Sequence, residues 1–144
     1  TRRDETFVAG LSMGGYGALV HAMKDTEQYR AVGAFSPATV WAKDLEEKVG
    51  HKFPEPMDLY QIIRDDVDAG KKLPDIFFCV GNNDFLIESV DRFEEYLNEL
   101  KIDHRFDRVD GYEHEWRFWE LELPEFLDWL PRTDSYAKMG KHKM

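Results

Sequence analysis

Gly10-Leu11-Ser12-Met13-Gly14 is the stretch on which the fold turns, and it reads G-x-S-x-G. That pattern holds a nucleophilic serine on a sharp strand-to-helix turn, with its hydroxyl exposed. Small residues two positions to either side let strand and helix pass close beneath the serine, so glycine is expected at both flanks. Upstream, Thr6-Phe7-Val8-Ala9 is a short β-favouring run with no helical period. Downstream, Met13 to Lys24 carries Ala18, Leu19, Val20, Ala22 and Met23 and is expected to be helical despite its early glycines. The alternative is a glycine-rich turn that binds phosphate or merely connects. No Gly-Lys-Ser/Thr follows, and Gly10, Gly14, Gly15 and Gly17 do not form G-x-G-x-x-G, so the nucleophile reading is preferred.

Working outward, Arg30 to Phe35 is a second apolar run, closed by Ser36-Pro37, and Ile76 to Val80 is a third, ended by Gly81-Asn82-Asn83-Asp84. Residues 37–73 between them are mixed, charged and rich in breakers, and are expected to be irregular. Trp41, within that segment, is a pocket candidate by location alone. Ile87 to Lys101 places Ile87, Val90, Phe93, Leu97 and Leu100 at three- and four-residue steps, which predicts an amphipathic helix. His104 to Val109 alternates as a strand with one exposed face should. Asp110-Gly111 then turns the chain, and the stretch from Glu115 to Leu130 reads as helical, broken or kinked near Pro124. Two of its tryptophans, Trp116 and Trp119, are expected in the core rather than in an acyl pocket. Strands alternating with helices imply a parallel sheet with right-handed crossovers, hence an α/β fold of about four parallel strands.

Catalytic groups of open α/β sheets gather beyond the carboxyl ends of the strands. Asp84 follows the third strand at that end, whereas Asp75 lies at the opposite end. Among the histidines, His21 falls on a helix, His51 in the middle segment, His104 at a strand beginning and His142 in a basic tail. His114 alone follows the carboxyl end of a strand. A surface histidine capping the next helix is the competing explanation, and the upstream Ser12 and Asp84 tip the balance. The order Ser12, Asp84, His114 is that expected of an α/β-hydrolase. Glu113, His114, Glu115 and His104 lack metal-ligand spacing, so neither metal nor cofactor is expected.

With Phe7 to Ala18, Asp84-Phe85-Leu86 and Gly111-Tyr112-Glu113-His114-Glu115-Trp116 in view, the chain resembles the putative esterase family of α/β-hydrolases. That family includes tributyrin esterases, S-formylglutathione hydrolases and feruloyl esterases. The likeness runs from Thr6 to about Leu130 and implies Ser12 as nucleophile, Asp84 as acid and His114 as base. It implies a serine carboxylesterase for short-chain acyl esters, with a thioesterase or an inactive fragment that acts only in association as alternatives. The chain departs from the family at the front, where several strands and helices usually precede the nucleophile strand. It is therefore expected to be a carboxyl-terminal half, with residues 1–131 a partial hydrolase domain and 132–144 a tail. Of the two oxyanion donors, the backbone N–H of Met13 is the one retained. The strand edge from Thr6 to Gly10 is expected to lack its partner and to drive self-association, antiparallel across a two-fold axis.

Composition adds bounds. At 144 residues, 42% hydrophobic and 14% aromatic, the chain supports one core. A formal charge of −10 argues against nucleic acid and anionic membranes as partners. The charged run Arg64 to Asp68 is expected to form a solvated face. Cys79 stands alone in an apolar strand, which excludes an internal disulfide. No segment has the apolar length of a membrane span, and a cytoplasmic location is expected.

Overall fold

The three apolar runs and the alternating stretch from His104 to Val109 pair into one sheet in the computed structural model, which describes residues 2–39, 50 and 58–132. A 3₁₀ turn at Arg3–Glu5 leads into β1 (Phe7–Leu11), α1 (Met13–Lys24) and β2 (Ala31–Phe35). Then come α2 (Leu59–Asp68), β3 (Asp75–Gly81), α3 (Ile87–Glu99), β4 (Arg105–Val109) and α4 (Trp116–Trp129). The strand order is β1-β2-β3-β4 and every pair is parallel, as crossover connections demand. Among the described residues, β1 pairs with β2 alone and so forms one edge of the sheet.

Both faces of the sheet are covered, which is why its inner strands are continuously apolar. Alternation along β3 sorts the core into two layers. Ile76, Phe78 and Val80 pack with Leu19 and Met23 of α1, Ile63 of α2 and Phe93 and Leu97 of α3. Phe77 and Cys79 face the other way, with Phe35 and with Phe118 and Phe126 of α4. Cys79 is wholly buried, and that burial pushes its thiol well above the ordinary range. On this second face α4 comes so close that a methyl group at Gly33 would run into the Phe126 ring. Among the described residues no helix is long and apolar enough to cross a membrane.

Three expectations need correction. Residues 37–73 are not irregular throughout, since α2 occupies Leu59–Asp68. Its start is fixed by the Asp58 side chain, which accepts from the Gln61 N–H at 3.2 Å. Asp66 of the charged run is buried rather than solvated, with the Lys71 ammonium 3.5 Å away. Finally, α4 is not broken at Pro124 but runs through it as one helix. A proline inside a helix costs about 3 kcal/mol; here the turn beyond it is held by Phe126 and Trp129 against the Phe77 ring. Trp41, His51 and His142 lie outside the described residues.

Glu122 is a second buried acid, 2% exposed in the middle of α4, with one carboxyl oxygen lacking a hydrogen-bond partner. Burial, and then the Asp107 carboxylate on β4, push it up to about 8. Arg105 holds Asp107 through two hydrogen bonds and reaches Glu125, and its charge only partly opposes the shift.

Two outcomes follow from this packing. Gly33→Ala should destabilise the fold by about 1–3 kcal/mol through overpacking against Phe126, read as a lower urea midpoint. The folded state holds a proton on Glu122 that the unfolded chain, with an ordinary value of 4.5, has released. Glu122 therefore supports stability below pH 4.5, and that support is lost as pH rises through about 8. Glu122→Gln should flatten this decline in a urea-midpoint series across pH; an unchanged slope would show that Glu122 is not its source.

Candidate active site

Strand β1 ends and α1 begins around Ser12, whose backbone sits at φ 56° and ψ −121°. A non-glycine residue rarely occupies this region, and holding one there costs on the order of 1–3 kcal/mol. The surroundings supply the restraint. The Ser12 N–H donates to Phe35 C=O at 2.8 Å. The Ser12 carbonyl accepts from the N–H groups of Gly15, Tyr16 and Ala38 at 3.0, 3.2 and 3.1 Å. A serine before a helix usually caps it with its side chain. Ser12 makes no such bond, so its hydroxyl points elsewhere.

The crowding beneath the turn is not symmetric. A side chain at Gly10 would collide with the Gly14 carbonyl, so strand and helix do cross tightly there. At Gly14 itself a Cβ would meet nothing within 4 Å, contrary to expectation; the second tight spot is Gly15, against Pro37 at 3.2 Å. The helix backbone, rather than its Cβ positions, makes the contact.

Ser12, Asp84 and His114 converge at the carboxyl end of the sheet. His114 Nε2 lies 2.9 Å from Ser12 Oγ, and His114 Nδ1 lies 2.8 Å from Asp84 Oδ2. A carboxylate only accepts, so Nδ1 carries the proton and Nε2 is left to accept from the serine hydroxyl. Asp84 is 2% exposed, and its other oxygen accepts the Leu86 N–H at 2.8 Å. The remaining candidates lie apart. Asp75 pairs with Arg30 at 2.6 Å at the opposite end of the sheet. His104 sits between Glu94 and the Ile102 carbonyl. His21 is exposed on α1.

Rings flank the histidine on two sides. Phe85, 77% exposed, lies 5.0 Å from His114 between centroids, and Trp119 lies 5.1 Å away, edge to face. Trp119 is oriented by its indole N–H, which donates to Ser36 Oγ at 2.9 Å. Ser36 is fully buried at φ 47°, and its N–H bonds the Cys79 carbonyl. Ser36 follows the carboxyl end of β2 just as Ser12 follows that of β1, but no catalytic motif surrounds it in the sequence. Trp116 is not in the core; it is 66% exposed and lies against Trp119. Beside them an apolar cavity of about 320 Å³ opens along β1, lined by Ala9, Leu11, Phe35, Trp116, Trp119 and Leu123. Met13 opens α1, where helix geometry leaves its N–H without an intrahelical acceptor.

Comparison with known proteins agrees with this architecture. An acetyl esterase of Caldicellulosiruptor saccharolyticus is 26% identical over 153 residues, covering 93% of this chain and 57% of that protein. The S-formylglutathione hydrolase FrmB of Staphylococcus aureus superposes with a TM-score of 0.77 at 23% identity, over 91% of this chain and 53% of its own. FphF, a fluorophosphonate-binding serine hydrolase of the same organism, superposes with a TM-score of 0.78 at 23% identity, over 91% and 56%. The fold is therefore that of the α/β-hydrolases, and the chain spans little more than half the length of these relatives. The family model described as "Putative esterase" matches residues 1–130. On that match, the chain belongs to the putative esterase family.

Proposed function

We propose that this chain carries the acyl-transfer centre of a serine carboxylesterase acting on short-chain acyl esters. The observation that carries the reading is the unbroken relay from Ser12 Oγ through the His114 ring to Asp84. Ser12 Oγ attacks the ester carbonyl carbon while His114 Nε2 takes its proton. Asp84 keeps the ring in the required tautomer and stabilises the imidazolium that forms. Collapse of the tetrahedral intermediate expels the alcohol, which takes the proton back from Nε2, and leaves an acyl-serine. Water then attacks that ester as His114 Nε2 takes its proton, and collapse breaks the acyl–Oγ bond, releasing the carboxylic acid while Ser12 Oγ regains the proton from Nε2. The Met13 N–H is the oxyanion donor we assign here.

The same steps serve a thioester, with a thiol leaving in place of the alcohol, and the likeness to FrmB favours this as the second substrate class. The alternative reading is a role in association without turnover.

Self-association is part of the proposal. Among the described residues β1 has a strand neighbour on one side only, and its other edge lies beside an apolar cavity with Trp116 and Leu123 exposed at the rim. Antiparallel pairing of two Thr6–Gly10 edges across a two-fold axis closes both at once.

Two measurements bear on these readings. The chain should hydrolyse p-nitrophenyl acetate, and Ser12→Ala and His114→Ala should each abolish that hydrolysis. Equal background rates for all three proteins would favour the association-only role. Sedimentation across micromolar concentrations should reveal a dimer or larger assembly, and a stable monomer would count against pairing through β1.

A further inference from the structure

Strands β3 and β4 end side by side, with Gly81 opposite Val109 in the parallel register. From there two loops depart, one to Asp84 and the other to His114. Among the described residues, nothing in the sheet itself keeps these loops together beyond that last pair. Asn82 does. Its backbone N–H donates to the Val109 carbonyl at 2.9 Å, and the next N–H, of Asn83, donates to the Tyr112 carbonyl at 2.9 Å. Its side-chain amide donates from Nδ2 to Asp110 Oδ1 at 2.9 Å, while its Oδ1 accepts the Gly111 N–H at 2.9 Å. The carboxamide thus spans two successive residues of the His114 loop, one by donation and one by acceptance.

The chemistry of the site explains the residue type. A carboxamide offers a donor and an acceptor on two separate atoms of one short side chain, whereas a hydroxyl must do both from a single oxygen. An aspartate at 82 would lose the donor and set a second carboxylate against Asp110. Two glycines allow the approach. A side chain at Gly81 would collide with the Tyr112 carbonyl, and Gly111 sits at φ 84°. Asp84 follows two residues after Asn82, and its own N–H is tied back to the Gly81 carbonyl at 3.1 Å. A shift of either loop relative to the other changes the Asp84–His114 separation directly.

We propose that Asn82 is a positioning residue whose carboxamide staples the Asp84 loop to the His114 loop and so sets the Asp84–His114 hydrogen bond. The proposal rests on the reading of Ser12, Asp84 and His114 as the catalytic relay. The side chain of Asn82 bonds Asp110 and Gly111 rather than Ser12, Asp84 or His114, and it acts through the placing of His114.

The test joins a spectroscopic readout to a kinetic one, on the full chain. The proton shared between His114 Nδ1 and Asp84 should give a low-field proton resonance that His114→Ala and Asp84→Ala both remove. In Asn82→Ala and Asn82→Asp that resonance should vanish or move upfield. The kcat for p-nitrophenyl acetate should fall about ten- to a hundred-fold, the scale of a small misplacement of reacting groups, with KM little changed. Asp110→Ala, an exposed substitution that removes one of the two side-chain bonds, should show the same effect in weaker form. Asn82→Ala/Asp110→Ala should be no worse than Asn82→Ala alone, because both act through one contact. Should Asn82→Ala fail to fold, Asp110→Ala and Asn82→Asp decide the matter. Folded variants with the wild-type resonance and wild-type kcat would overturn the role of Asn82 and leave the relay intact. A wild-type chain with no low-field resonance sensitive to His114→Ala would overturn the relay, and the role of Asn82 with it.

Discussion

Everything at the candidate site depends on how closely β1 and α1 cross at Gly10. The backbone of Gly14 fills the space a side chain at 10 would need, so the chain must reverse within one residue. Ser12 is that residue, and it takes the strained φ of 56°. Three N–H groups on its carbonyl and its own N–H on Phe35 hold it there. Each such bond is worth about 1 kcal/mol net, enough together to offset the strain. The hydroxyl is thereby turned away from the helix end it would otherwise cap, and towards His114. A relaxed turn would return it to capping.

Parallel pairing does the rest of the assembly. Because all four strands run the same way, their carboxyl ends share one rim, and each strand delivers one group there. Ser12 follows β1, Ser36 follows β2, Asp84 follows β3 and His114 follows β4. The Ser36 contribution is indirect, since it fixes the Trp119 indole against which the His114 ring packs. The two long-range bonds of the relay span 30 and 102 residues of chain, yet both rest on loops that leave neighbouring or nearby strands.

What the sequence reveals follows from how local each feature is. The strands and the helix at Ile87–Glu99 were legible because an apolar period needs no partner to be seen. Ser12, Asp84 and His114 were legible because each lies just past a strand, and strand direction assigns them to one end. Helix α2 was hidden because its apolar positions are diluted by Arg64, Asp65 and Asp68, although Asp58 with Gln61 was a readable start signal. The burial of Asp66 and of Glu122 depends on neighbours from other elements, which no local pattern records. The same holds for Trp119, whose partner Ser36 is 83 residues away. The shift of crowding from Gly14 to Gly15 is a matter of helix phase, fixed only once α1 is docked on Pro37.

Cys79 has a use that its place in β3 creates. It is the single cysteine of the chain, wholly enclosed beneath α4, with its thiol pushed far towards the protonated form by that enclosure. A thiolate is the species that alkylating reagents attack, so the native molecule is inert to them until the sheet and α4 separate. The rate of alkylation therefore tracks the open population of the protein's centre when reclosing outpaces the reagent, and the opening rate when it does not. The fold carries its own clock for that motion, without any label having to be introduced.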